Sequence, residues 1–377
     1  MPTGLIEFLP TVQRIRHGVG VLADALREEQ RLLGAQRPFV VLARALVGTD
    51  VEAAVRSGLP GAAVHSGSFE HVPPEAVIAA ARAAAMHAAD LVVAIGDGSA
   101  IDTAKGLRFA LAAGITAASD LLPAMAGPSP TAQGLPQVSV PTTLSGAEYT
   151  RSFSATDRLA ADKRSHTATA LASTAIVYDP EVTRATPDSL WLGSGLVALD
   201  HALEVYVCSG AHPVADVLKE RSARLLWTHL PATGAASTAP AMRLECQLAA
   251  WMVDHSPLRT RAAGAAGTPW SHLLAYDLAA MTGLSYALTA AVTLPNALRL
   301  LAETPACAAR IHALERALGL PGPLPESVEA WIRQLGLPTS AEAAGVDVPT
   351  LRRVADASAR RGGVDPVHCA RVLGVAG

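Results

Sequence analysis

This 377-residue chain has no excess of either charge, no closely spaced cysteine pair and no uninterrupted apolar run of membrane-spanning length. Each absence closes off a class of function. Thirty Lys and Arg against 33 Asp and Glu leave a formal net charge of −3, which gives no electrostatic footprint for nucleic acid or an anionic membrane. A small-molecule ligand is the expectation instead. The four cysteines, Cys208, Cys246, Cys307 and Cys369, are scattered and form no CxxC pair. Reduced, buried thiols in the cytoplasm fit them better than a disulfide frame or a zinc site. The opening residues MPTGLIEFLP lack the basic start and apolar run of a secretory leader. The most apolar stretch, VIAAARAAAMHAADLVVAIG, is broken by Arg82, His87 and Asp90, short of the roughly 20 apolar residues that a span requires. The expectation is a cytoplasmic protein that engages neither nucleic acid nor membrane.

What the chain does contain is apolar material for large cores: half its residues are hydrophobic, and its length exceeds what one core usually serves, so two domains are expected. Phe39 to Leu42, Leu91 to Ile95 and Val138 to Val140 are short apolar runs rich in β-branched residues that read as buried strands. The alanine-rich stretch Pro74 to Ala89 between the first two reads as a helix, and this alternation predicts a parallel α/β sheet. Pro123 to Pro136, dense in Pro, Gly and Ser, reads as a loop. From about Pro187 strand signals stop. Leu192 to Val207, Val214 to Leu230, Ala241 to Asp254, Gly267 to Met281 and Ala287 to Glu303 read as helices, with breaks near Pro231, Pro257, Pro321 and Pro338. The predicted architecture is an α/β domain over 1–186 and an all-helical domain over 187–377, with a ligand site in a cleft between them.

The strand LVVAI runs into GDGSAIDTAKG, Gly96 to Gly106. Two glycines and a serine between strand and helix let the backbone approach a pyrophosphate, with the helix N-terminus offering N–H groups and a positive dipole end. Ser99 is the predicted N-cap, with Asp102 three residues on in a box-like position. Alone, such a turn is weak evidence. After the third strand comes PTTLSGAEYT, Pro141 to Thr150, whose hydroxyls suit a nucleotide.

Taken with YDPEVT (178–183) and GLVALDHALEVY (195–206), these motifs resemble the iron-containing alcohol dehydrogenase superfamily, which shares the dehydroquinate synthase-like fold. HPVADVLKERSARLL and GLSYALTAAVTLP are most similar to its maleylacetate reductase branch. The resemblance implies an N-terminal NAD(P)-binding α/β domain, a C-terminal helical domain and a homodimer. It places the pyrophosphate on Gly96, Asp97, Gly98 and Ser99, with Asp102, Thr142, Thr143, Lys163 and Val182 around the rest of the cofactor. Asp97 departs from the family's GGGS turn and sets a carboxylate against a dianionic pyrophosphate. Arg44, at the end of the first strand, stands where NAD-preferring members often carry an acid. An arginine there pairs with a 2′-phosphate, which favours NADP slightly; a solvated strand-end arginine is the alternative.

Metal-dependent members of the superfamily hold a divalent ion with an Asp and a His one helical turn apart plus two later histidines. By the same resemblance these positions are Val197, His201, His272 and Tyr286 here, and a histidine that commonly lines the substrate cleft becomes Tyr276. Two of four ligands are lost, whereas a catalytic transition-metal site normally needs three. No metal is expected, and a shifted site using Asp200 or Asp277 is disfavoured, since Asp200 lies about 100° around the helix from His201. His201, His272, Tyr286 and Tyr276 are the candidate catalytic residues, with Asp200, Asp277 and Arg151 as outer groups. The leading expectation is a metal-independent NAD(P)H-dependent reductase of a small activated carbonyl or conjugated alkene. A non-redox enzyme (cyclase, dehydratase or decarboxylase) with a repurposed cleft is the alternative, and a non-catalytic scaffold a third class.

Overall fold

The computed structural model describes residues 7–8, 12–67, 69–130, 134–157, 162–234, 240–254, 258–259 and 267–375. Part of the Pro123 to Pro136 loop and the Pro257 break lie outside the described residues. The chain divides into two compact units. One comprises Leu9–Pro187 with Ala236–Gln247, the other Met1–Phe8, Asp188–Ala235 and Leu248–Gly377.

The first unit is built on a six-stranded, all-parallel sheet in the order β2-β9-β6-β5-β3-β4, with β2 Arg14–His17, β3 Pro38–Ala43, β4 Ala63–Gly67, β5 Leu91–Gly96, β6 Gln137–Pro141 and β9 Ala175–Tyr178. Leu42 pairs with Ile95 and Ile95 with Val140. The central strands β3 and β5 read as continuous apolar runs because both faces are covered. Phe39, Val41, Val92 and Ala94 pack with α3 (Pro74–Met86), α4 (Gly98–Ala113) and α5 (Ala118–Met125). Val40, Leu42, Val93 and Ile95 face the other way, toward α1 (Leu22–Leu33) and α2 (Asp50–Gly58). The period-2 alternation thus sorts one apolar run into two cores.

An antiparallel hairpin, β7 (Ser152–Asp157) and β8 (Asp162–Thr167), completes this unit. Where α1 and α2 cross, a Cβ on Gly58 would lie 2.6 Å from the Ala23 carbonyl oxygen, so only glycine fits there. Helix α1 lacks a side-chain cap of its own. The buried Asp179 carboxylate supplies one, accepting the Gly20 and Leu22 amides at 2.9 Å each.

Polar groups inside this unit are held in networks. The Lys105 ammonium on α4 donates to the carbonyls of Ala147, Thr150 and Ser152 and to the Thr150 hydroxyl, which pins the chain between β6 and β7. Glu148 accepts the Tyr178 hydroxyl at 2.9 Å through Oε1, while its Oε2 has no hydrogen-bond partner. Burial pushes the Glu148 carboxyl up to about 7, against the opposing pull of its own amide, Tyr178 and Lys105. A carboxyl raised in this way keeps a proton in the folded chain that the unfolded chain releases near its ordinary value. Stability therefore falls as pH rises through the window from about 4.5 to about 7 and levels off above it. Glu148→Gln is expected to remove up to about 3 kcal/mol of this pH dependence. Thermal unfolding at pH 5 and pH 8 checks it: the wild type should lose more between the two than the variant, and parallel losses would contradict the assignment.

The second unit is helical: α6 (Asp188–Cys208), α7 (Ala215–His229), the C-terminal part of α8 (Pro240–Asp254), α9 (Trp270–Thr282), α10 (Tyr286–Leu301), α11 (Pro305–Leu318), α12 (Leu324–Gln334), α13 (Val348–Gly362) and α14 (Pro366–Val372). The expectation of no strand beyond Pro187 is corrected by a two-residue β10 (Leu258–Arg259), which pairs antiparallel with β1 (Glu7–Phe8). Helix α10 packs against α6, α9, α12 and α14. No single helix among the described residues is long and apolar enough to cross a membrane. All four cysteines are buried, Cys246 in the first unit and the other three in the second.

Candidate functional site

The residues singled out from the sequence fall on both units. On the first, β5 is buried to its last residue, Gly96, and the chain turns at once into α4. Gly96 has φ +153°, and a Cβ there would lie 2.7 Å from Ala43 Cβ and 2.8 Å from Ala100 Cβ. No other residue allows this approach. A Cβ on Gly98 would meet Ser145 Oγ at 2.9 Å, so the PTTLSGAEYT segment is laid directly against the glycine turn.

The predicted cap is corrected. Helix α4 begins at Gly98, and its N-cap is Asp97, not Ser99; the Asp97 carboxylate accepts the Ala100 amide at 3.1 Å. Both residue types cap well, and glycine at 98 lets the helix start two residues before the serine could cap it. Asp102 is correspondingly no part of a capping box. It accepts the Ser154 amide at 3.1 Å, lies 4.0 Å from the Lys105 ammonium and is pushed up to about 6 by burial.

Thr142 donates its amide to the Gly96 carbonyl, and Thr143 donates its hydroxyl to Ser145 at 3.2 Å. Val182 is buried, while Lys163 on β8 is exposed and pairs in register with Thr156. Arg44 is exposed in a 3-10 turn directly after β3, the neighbour of β5.

On the second unit, three of the four candidate catalytic residues form one hydrogen-bonded group. His272 Nδ1 lies 2.7 Å from the Tyr286 hydroxyl and 3.2 Å from His201 Nε2. Three helices bring them together. His201 stands on α6, one turn after the half-buried Val197. Tyr286 opens α10, which is pressed onto α6 so closely that a Cβ on Gly193 would lie 2.8 Å from Ala287 Cβ.

His272 is the third residue of α9, whose own N-cap, Pro269, offers no side-chain acceptor. Glu204, one turn after His201 on α6, fills that role. Its two carboxylate oxygens accept the Ser271 amide at 2.6 Å and the His272 amide at 3.0 Å. Sequence reasoning missed Glu204; the only local signal was its i,i+3 spacing from His201, which puts both on one face.

The electrostatics follow from burial. Burial pushes Asp200 up to about 6, opposed by His201 and by the Ser271 hydroxyl donating at 3.0 Å; its Oδ1 has no hydrogen-bond partner. Burial and the Asp200 carboxyl push Glu204 up as well, against the pull of its two amides. Burial, with Asp200 and Glu204 close by, holds the Tyr286 phenol well above its ordinary value, so the hydroxyl keeps its proton.

Tyr276 is exposed, with the Arg361 guanidinium 4.9 Å over its ring. Asp277 is committed to Arg361 and Ser358. Arg151 lies on the first unit. Among the described residues no three His, Cys, Asp or Glu side chains converge to hold a metal ion.

Two family models match consecutive parts of the chain: iron-containing alcohol dehydrogenase over residues 12–180, and the C-terminal model of the Fe-containing alcohol dehydrogenase family over 192–366. A long-chain-alcohol dehydrogenase 1 from Geobacillus thermodenitrificans (strain NG80-2) is 31% identical over 323 residues, 84% of this chain and 78% of that protein. A maleylacetate reductase from Pseudomonas sp. (strain P51) is 27% identical over 355 residues, 92% of this chain and 89% of that protein. Among solved structures, the maleylacetate reductase from Rhizobium sp. strain MTP-10005 matches with a TM-score of 0.77 at 25% identity, covering 98% of this chain and 97% of that one.

Proposed function

Because the chain belongs to the iron-containing alcohol dehydrogenase family and is an oxidoreductase of that kind, we propose that it is an NAD(P)H-dependent reductase of a small activated carbonyl or conjugated alkene that works without a metal ion. One observation carries the reading: His272 Nδ1 held between the Tyr286 hydroxyl and His201 Nε2, at positions where the family resemblance places metal ligands. The donor set there does not fit a divalent cation. It comprises an aliphatic side chain at Val197, two imidazoles, and a phenol that burial keeps protonated. With no carboxylate among the four and too few ligands, no anionic ligand offsets the ion's charge.

The same set suits hydrogen-bond catalysis. Reduced nicotinamide, when bound, supplies the hydride. As the electrophilic carbon is reduced, an electron pair moves onto the substrate oxygen or enolate, and a neutral donor aimed at that charge stabilises it. The Tyr286 hydroxyl donates its proton there; His272, carrying both ring protons, returns its Nδ1 proton to the phenolate oxygen, is left neutral and is reprotonated from solvent, while His201 orients the imidazole. Giving up a Lewis acid forgoes several kcal/mol of charge stabilisation, which is why the proposed substrate is an already activated enone, β-keto acid or reactive aldehyde. The 27%-identical maleylacetate reductase supports this class. The Gly96–Ser99 turn with Thr142 and Thr143 is the proposed dinucleotide seat, and the exposed Arg44 supports NADP as the preferred form.

Chelator dialysis should leave turnover within about twofold, and elemental analysis should find far less than one ion per chain. A stoichiometric divalent ion whose removal abolishes turnover would refute the metal-free reading. Asp97 favours a second, non-redox reading, because its carboxylate already takes an amide of the α4 N-terminus. Turnover of a substrate with no change in dinucleotide absorbance would select that one.

A further inference from the structure

Resting on the dinucleotide reading above, we infer that Asp97 is a built-in competitor for the cofactor's pyrophosphate and sets a weak grip on the dinucleotide. The first amides of a helix have no acceptor within it. In α4 these belong to Gly98, Ser99 and Ala100, and the Ile101 amide is the first to bond inward, to the Asp97 carbonyl at 3.2 Å. An arriving phosphate would be seated by this set and by the positive end of the helix dipole. Asp97 stands in the same place: it is the N-cap, its backbone is extended, and its Oδ1 already accepts the Ala100 amide at 3.1 Å.

The cation nearest along the helix does not offset it. Lys105 is turned inward to three carbonyls and the Thr150 hydroxyl and lies beside Asp102. Gly98 itself carries no side chain, and the place a Cβ would take is bordered by Ser145 Oγ at 2.9 Å and Ala147 Cβ at 3.5 Å, so the Asp97 carboxylate is the side chain that caps the α4 amides, and it is the wrong charge for a phosphate. A bound pyrophosphate must either displace the carboxylate from the Ala100 amide or share the helix end with it. Both reduce affinity.

Two substitutions separate charge from capping. Asp97→Asn keeps an acceptor oxygen at the cap and removes the charge; Asp97→Gly removes both at a cost of only a few tenths of a kcal/mol in capping. NADH and NADPH titrated into the wild type and both variants, followed by nicotinamide fluorescence, should bind each variant about tenfold more tightly. The difference should shrink in concentrated salt, where exposed charges are screened. ADP should gain affinity in the same way, whereas adenosine, lacking phosphate, should not. Equal or weaker dinucleotide binding by Asp97→Asn would overturn the inference while leaving the reductase reading intact. No binding by any of the three proteins would overturn both.

Discussion

Replacing Tyr286 with phenylalanine is expected to lower kcat by about two to three orders of magnitude, with little change in dinucleotide affinity. The change deletes one atom. The ring stays packed at the start of α10, but the hydroxyl 2.7 Å from His272 Nδ1 is gone, and with it the group proposed to carry a proton to the developing negative charge. Burial strengthens the argument, because a phenol held well above its ordinary value cannot reach the oxygen as a phenolate and must act as a donor. The measurement is steady-state reduction of the fastest substrate found among enones, β-keto acids and aldehydes. A kcat within about threefold of wild type would remove Tyr286 from the chemistry. His272→Ala should resemble Tyr286→Phe, and the double variant should be little worse than either alone, since groups acting in one relay do not add.

The second large effect is expected at Glu204. Replacing it with leucine leaves the Ser271 and His272 amides, now bonded at 2.6 and 3.0 Å, without acceptors in a buried setting. Each such group costs about 1–3 kcal/mol, and the favourable placement of a carboxylate at a helix N-terminus is lost as well. A loss of about 3 kcal/mol would lower the melting temperature by roughly 6–12 °C. Because His272 rides on the turn that Glu204 holds, kcat should fall as well, while affinity at the dinucleotide seat proposed on the first unit should stay unchanged. Glu204→Gln can satisfy only one of the two amides, so it should fall between wild type and leucine. An unchanged melting temperature in Glu204→Leu would show that α9 starts securely without the carboxylate.

How much of this was legible in the sequence depended on whether the signal was local. Strands β3 and β5 were readable because they are covered on both faces and carry unbroken apolar runs, and β6 because Val138 and Val140 stand either side of a single Ser139. Strand β2, with the sequence RIRH, and the hairpin strands SFSATD and DKRSHT carry no such run, since partial exposure lets polar residues into them. Helix α1 was missed although Leu22, Ala25 and Leu26 lie on one buried stripe. The α4 cap went to the wrong residue because Asp97 and Ser99 are chemically equivalent candidates, and only the backbone of Gly98 decides where the helix starts. His201, His272 and Tyr286 could be grouped beforehand because a family pattern assigned them related positions. Glu204 could not: its partners are main-chain amides 67 and 68 residues away, and no spacing rule encodes a helix start supplied by a distant side chain.

The burial of every cysteine has a practical consequence. With Cys208, Cys246, Cys307 and Cys369 all inside and their thiols pushed up by burial, hardly any reactive thiolate meets the solvent while the chain is folded. An alkylating reagent therefore records opening events rather than surface chemistry. Because Cys246 lies in one unit and the other three in the other, peptide-resolved alkylation would time the loosening of each half without any engineered label.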